Sequence, residues 1–140
     1  MARILGLDVG DKKIGVAISD PLNILATPAK TVIRVDDETA IIAIKDLMKK
    51  YNAEKIVMGL PYSLDGTIGK QAEKVISFRD KLLSMLPVSI AMQDERLSTI
   101  AAEQKLREAG QKRTKLIKKI DAAAATVILQ DYLDSLRVTQ

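Results

Sequence analysis

Apolar residues along this chain fall into blocks whose period changes from one to the next. Residues 4–9 (ILGLDV) and 14–19 (IGVAIS) are nearly continuous apolar runs joined by GDKK, and they predict a two-stranded hairpin. A loop with Pro21 and Pro28 follows, then a third short apolar run, Thr31–Val35. In DDETAIIAIKDLMKKY the period becomes helical. Ile41, Ile44, Leu47 and Met48 make one stripe, and Asp36 or Asp37 can cap the first turn. EKIVMGLP is apolar almost throughout, as a strand covered on both faces should be. YSLDGTIG carries turn chemistry at Asp65-Gly66, a second helix is expected from Ile68 to Met85, and VSIAM is a fifth strand. Ser98 or Thr99 can cap a third helix ending at Ala109, with Gly110 as its stop. After the basic loop QKRTK, a last helix is expected from Leu116 to Leu136, and the alanines of DAAAATVIL let it lie close to a sheet.

The resulting order, β-β-β-α-β-α-β-α-α, predicts an α/β fold in which a five-stranded mixed sheet carries helices on both faces. With 140 residues and no linker, repeat or low-complexity segment, a single domain spanning 1–140 is expected.

One residue breaks the apolar pattern. Asp8 follows Leu5 and Leu7 near the end of the first strand, where an ionised carboxylate costs several kcal/mol unless something positive meets it. In α/β sheets, sites form beyond the carboxyl ends of parallel strands. Glu95 is expected two or three residues past the end of the fifth strand, and Asp121 opens the small-residue part of the last helix. Each acid has a structural explanation: Asp8 could accept from the Gly10 or Asp11 amide, Glu95 could pair with Arg96, and Asp121 with Lys118. Together they could converge on one sheet edge, and converging carboxylates persist with shared protons or a bound cation.

Composition narrows the chemistry. The chain has no cysteine and no histidine, which removes thiolate sites, the usual zinc ligands and the Ser-His-Asp triad. Oxygen-only ligands point to a hard ion, Mg²⁺ or Mn²⁺, which completes its shell with water and substrate phosphate. Lys105 to Lys119 holds seven basic residues and one acidic one, a local +6 in a chain whose net charge is +4, so the remainder sums to −2. That stretch is either a solvated helix face or a polyanion-facing surface. Lys12 and Lys13 lie in the first hairpin turn and could also meet phosphate. Tyr51, Tyr62, Phe78 and Tyr132 are the only aromatic residues, too few for base-stacking platforms. No segment reads as a signal peptide or membrane span, so a cytoplasmic protein without membrane association is expected.

The blocks GLDVGDKKIGVAISDP, VMGLPYSLDGTIGKQA, DERLST and DAAAATVILQDYL resemble, in order and across almost the whole chain, the signatures of the YqgF/RuvX family. The resemblance implies a ribonuclease H-like fold and metal-assisted phosphodiester hydrolysis. It maps the catalytic and metal-binding acids to Asp8, Glu95 and Asp121, with one or two ions. Related RuvC resolvases carry a further metal ligand one helical turn before the last acid, where this chain has Lys118. The substrates implied are structured RNA at the 5′ end of the 16S rRNA precursor, with ribosome-associated partners, or branched DNA at a Holliday junction. Candidate nucleic-acid contacts are Lys12, Lys13, Arg96, Lys112, Arg113, Lys115 and Lys119, and Ser63, Gly66 and Thr67 form a possible phosphate loop. Two other classes compete. One is a phosphate-handling ATPase of the actin and sugar-kinase type, which DVGDKK imitates but which requires a second domain. The other is a non-catalytic nucleic-acid-binding module.

Overall fold

The computed structural model describes residues 2–61, 68–94 and 113–138, the last segment as backbone alone outside 123–136. Its strands are β1 (Arg3–Val9), β2 (Lys13–Ser19), β3 (Ala26–Ile33), β4 (Ala53–Leu60) and β5 (Ser89–Asp94). The described helices are α1 (Asp37–Tyr51), α2 (Lys70–Met85) and α3 (Arg113–Val138). The helix expected between Ser98 and Ala109 lies outside the described residues. No described helix is long and apolar enough to cross a membrane.

The five strands form one mixed sheet in the order β3-β2-β1-β4-β5. β1 and β2 pair antiparallel, as do β2 and β3, whereas β4 runs parallel to both β1 and β5. The expected mixed sheet is present, with β1 at its centre. The order of elements in the sequence also leads to the expectation that Asp8 is flanked by the ends of the strands at Val57 and Ile90. Instead β1 is flanked by β2 and β4, and β5 lies one strand further out, about 10 Å from β1 at two strand spacings.

Strand alternation divides the core in two. Leu5, Leu7 and Val9 of β1 join Ile14, Val16, Ile18, Ile56 and Met58 under α1 and α2. Ile4 lies on the other face with Ala17 and Val57, against Ala125, Ile128, Leu129 and Leu133 of α3. Gly6 allows that approach: a Cβ there would stand 2.7 Å from the Leu129 Cβ and 3.0 Å from the Ala125 carbonyl oxygen. Only hydrogen leaves room for the helix. Further along α3, the Lys55 ammonium sits 5.0 Å from the Tyr132 ring centre, and Lys55 pairs with Ile4 in the sheet. Residues 125 and 129 thus lie over Gly6 and residue 132 lies at the level of Ile4. The α3 axis runs antiparallel to β1, with its N-terminal end towards Asp8.

Several boundaries differ from the expected ones for identifiable reasons. β3 begins at Ala26 rather than Thr31, because Pro28 sits within it. Proline is tolerated there since β3 is an edge strand and the register shifts between Val16–Lys30 and Ala17–Pro28, a bulge that needs no amide at that point. β5 continues through Gln93 and Asp94, so Glu95 follows the strand directly. α3 starts at Arg113, which puts Arg113 and Lys115 in its first turns rather than in a loop.

Local caps follow the sequence. Asp36 caps α1, its carboxylate accepting from the Thr39 amide at 2.7 Å and the Thr39 hydroxyl at 3.0 Å. Those bonds, the amide first, hold Asp36 below the usual carboxylate range. Asn52, in the left-handed region at φ 53°, ends α1 and leads straight into β4. At the start of the sheet, the buried Ser19 hydroxyl accepts from the Ile4 amide at 2.8 Å and donates to Asn23 Oδ1 at 2.6 Å. Asn23 in turn donates to the Ala2 carbonyl at 3.1 Å, fastening the beginning of β1.

Candidate active site

Asp8 is half-buried on the last turn of pleat in β1. Alternation from Ile4 and Gly6 puts it on the α3 face of the sheet. Its antiparallel partner is Gly15, and the parallel pairing of β1 with β4 extends to Leu7–Met58. The carboxyl ends of β1, β4 and β5 share this edge, since Leu60 pairs with Asp94.

Position 121 comes to the same edge through the helix. One α-helical turn advances about 5.4 Å, and two strand residues advance about 6.8 Å. Stepping one turn back from Ala125 along α3 therefore matches stepping from Gly6 to Asp8 along β1. The backbone of residue 121 lies on the same strip of the helix as Ala125 and Leu129, at the level of Asp8. Glu95 lies outside the described residues, immediately after Asp94. Arg96 and Lys112 are also outside them, as are Ser63, Gly66 and Thr67 of the expected phosphate loop. Lys119, with Arg113 and Lys115, lies on the N-terminal part of α3, the end that faces this edge.

The turn after Asp8 is tightly fixed. The Gly10 amide donates to the Lys13 carbonyl at 2.9 Å, closing a hairpin over Asp11 and Lys12. A Cβ on Gly10 would stand 2.7 Å from that carbonyl oxygen, so a side chain cannot be fitted. The bond gives the Gly10 amide a backbone partner. Lys12 and Lys13 are both exposed on this hairpin.

Sequence reasoning missed Arg34, which holds the hairpin from outside. Its Nη1 donates to the Gly10 carbonyl at 2.9 Å and its Nε to Asp37 at 2.8 Å. Its guanidinium lies over the Phe78 ring at 4.8 Å, and its own amide donates to the Lys12 carbonyl at 2.8 Å. Lys74 of α2 reaches Asp11 at 3.4 Å, but both side chains are more than half exposed, so that pair contributes little. A lone arginine between Ile33 and Val35 reads in sequence as an interruption of an apolar run. Nothing local reveals that it spans to Gly10.

Among the described residues no three acidic side chains are grouped to hold a metal. The donor chemistry at the edge is nonetheless oxygen-only, and Asp8 lies beside a helix that approaches as closely as backbone allows. That arrangement fits a hard divalent cation better than a thiolate- or imidazole-seeking one.

A family model described as "RuvX: Holliday junction resolvase" matches residues 2–135. This chain belongs to the RuvX family. A protein of Clostridium novyi named "Putative pre-16S rRNA nuclease" is 49% identical over 134 residues, covering 96% of this chain and 99% of its own length. A protein of the same name from Caldanaerobacter subterraneus is 49% identical, covering 95% and 96%. Among solved structures, the fold resembles Thermus thermophilus RuvC in complex with Holliday junction substrate, with a TM-score of 0.60 at 12% identity over 99% of this chain and 98% of that one. The fowlpox virus resolvase bound to Holliday junction DNA gives a TM-score of 0.56 at 16% identity over 96% and 98%. The ribonuclease H-like, RuvC-type fold implied by the sequence blocks of this RuvX protein is present. Those blocks place it among nucleases, hydrolases of nucleic-acid ester bonds.

Proposed function

We propose that this RuvX protein is a cytoplasmic, divalent-metal-assisted endonuclease that cleaves a phosphodiester bond near the 5′ end of precursor 16S rRNA during ribosome biogenesis. The observation that carries this reading is the position of Asp8. It stands at the carboxyl edge of the central strand, on the face closed by α3, in a chain that matches the RuvX model almost end to end. The name borne by relatives at nearly half identity supports RNA as substrate.

In this reading Asp8, Glu95 and Asp121 would hold Mg²⁺ or Mn²⁺, one ion or two. A bound ion supplies a Lewis acid that neutralises the scissile phosphate and lowers the pKa of an attacking water. The protein's own residues do the rest. Asp8 supplies fixed negative charge on a strand that cannot move, because Gly6 is locked under α3 and the following hairpin is tied by Arg34. Lys12, Lys13, Arg113, Lys115 and Lys119 attract the phosphate backbone to this edge, joined by Arg96 and Lys112. Ser63, Gly66 and Thr67 would contact a phosphate beside the scissile one.

The description attached to the family model favours a second reading, branched DNA. The test is a substrate panel of precursor 16S rRNA fragments and four-way DNA junctions, each with Mg²⁺ and with Mn²⁺. RNA cleavage at a defined 5′ position supports the first reading, and selective junction cleavage replaces it with the second. Binding without cleavage in any condition would leave a nucleic-acid-binding module and remove both.

A further inference from the structure

Next to the candidate site is a corner whose rigidity and exposure are at odds. Ile33 closes β3 and is 59% exposed, and Val35 follows at 81% exposed. Large apolar side chains this open are commonplace on mobile loops, but this corner is held. Between them, Arg34 is anchored to the Lys12 and Gly10 carbonyls, to Asp37 and to the Phe78 ring, with only 15% of its side chain exposed. The chain thus fixes two apolar side chains in solvent instead of letting them fold back.

The register shows what Ile33 faces. Ile33 pairs with Lys13, and Lys13 is bonded across the hairpin to Gly10, two residues beyond Asp8. Directly opposed residues point to the same side of a sheet, and Asp8, Gly10, Lys13 and Ile33 all belong to the α3 face. Two strand spacings and two residues of rise separate Ile33 from Asp8 by about 12 Å, or three to four stacked base steps. Exposed Lys12 and Lys13 stand between them.

We infer that Ile33 and Val35 form an apolar substrate-contact corner, set beside a lysine pair and aimed at the same nucleic acid that Asp8 addresses. Lysines take phosphates, and a rigid aliphatic corner packs against a base or sugar face that stacking no longer covers. Apolar side chains are used in this way at kinked or unstacked base steps. The favoured substrate is then a junction between paired and unpaired nucleotides rather than continuous duplex. This rests on the nuclease reading of the site and specifies which substrate shape it takes.

The test compares wild type with Ile33→Ala/Val35→Ala in metal-free buffer, where no cleavage occurs, by fluorescence anisotropy. The probes are an RNA hairpin with a single-stranded 5′ extension and a continuous RNA duplex of equal length. Both substitutions are on the surface, so thermal stability should stay near wild type. The variant is expected to bind the hairpin–extension probe roughly three- to tenfold more weakly, as partial loss of apolar burial would give. Duplex affinity and the salt slope should not change, because no charge is lost. Lys12→Ala/Lys13→Ala should do the reverse and flatten the salt slope for both probes. Equal binding of the extension probe by wild type and the Ile33/Val35 variant overturns the corner while leaving the nuclease reading intact. A wild-type protein that binds neither probe removes both.

Discussion

Gly6→Ala probes how closely the last helix must sit to the first strand. The added methyl would be placed 2.7 Å from the Leu129 Cβ and 3.0 Å from the Ala125 carbonyl oxygen. Carbon atoms in ordinary contact lie about 3.5–4.0 Å apart, so α3 must recoil by roughly 1 Å. Over-packing of this kind typically costs about 1–3 kcal/mol. Alanine also gains about 0.5–1 kcal/mol over glycine through lower chain entropy, which offsets part of that loss but not all of it. For a chain of this size each kcal/mol moves Tm by about 3–5 °C, so a fall of several degrees is expected by circular dichroism. The catalytic loss should be larger. A shift of about 1 Å in a positioned group can cost about 10²-fold in rate, and α3 carries position 121 to the Asp8 edge. A double-mutant cycle isolates the contact. Leu129→Ala alone should cost about 2–5 kcal/mol but keeps the Cβ that the new methyl meets, so it should not relieve Gly6→Ala. Leu129→Gly removes that Cβ and should make the Gly6→Ala loss appreciably smaller. Additive losses in the Gly6→Ala/Leu129→Gly cycle, or a Gly6→Ala protein with wild-type Tm and turnover, would refute the close-packing argument.

Asp8→Asn keeps size and hydrogen bonding but removes charge. Cleavage should fall at least about 10²–10³-fold while the metal-free protein melts no lower than wild type; normal cleavage with a lower Tm would make Asp8 a structural carboxylate. Ser19→Ala strands the buried Ile4 amide and should cost about 1–3 kcal/mol, read by urea denaturation, with Ser19→Thr a partial rescue. Asp36 and Asp20 are both held below the usual carboxylate range, Asp36 by bonds from Thr39 and Asp20 by the amides of Leu25 and Ile24. A group depressed on folding stabilises above its unfolded pKa and loses that contribution as pH falls through the folded value. Stability should therefore be level above the ordinary carboxylate range and decline as pH falls through and below it, and Asp36→Asn should shrink the decline in acid melts. Replacing Lys112, Arg113 and Lys115 with alanine should reduce the salt slope of nucleic-acid binding by about one unit per lost phosphate contact, and an unchanged slope would make them a solvated helix end.

Much of this fold is legible in the sequence because each face of each strand is apolar for its own reason. Leu5, Leu7 and Val9 read as core and are core, under α1 and α2. Asp8 is conspicuous because it interrupts that run, and its place at a central carboxyl edge follows from the element order. The start of β3 is not legible, since Pro28 ordinarily breaks a strand and only pairing at a sheet edge, with a bulge, accommodates it. Gly6 is equally silent: its necessity arises from a helix more than a hundred residues away. Arg34 shows the same limit, because its partners Gly10, Asp37 and Phe78 come from three elements that meet only after folding. Local patterning reports burial well. It reports long-range polar contacts hardly at all.

The contact of Gly6 with Leu129 also sets an order in time. Strand β1 is synthesised more than a hundred residues ahead of the part of α3 that covers it, so the face bearing Asp8 stays open in the meantime. At about 5–20 residues per second, roughly 6–23 s separate the synthesis of Asp8 from that of position 121. The β1–β2–β3 meander can form early from neighbouring residues, yet its second face is sealed only when the C-terminal helix arrives. Over that interval a nascent chain carries the α3 face of its sheet uncovered, with Ile4, Ala17 and Val57 still waiting for their helix.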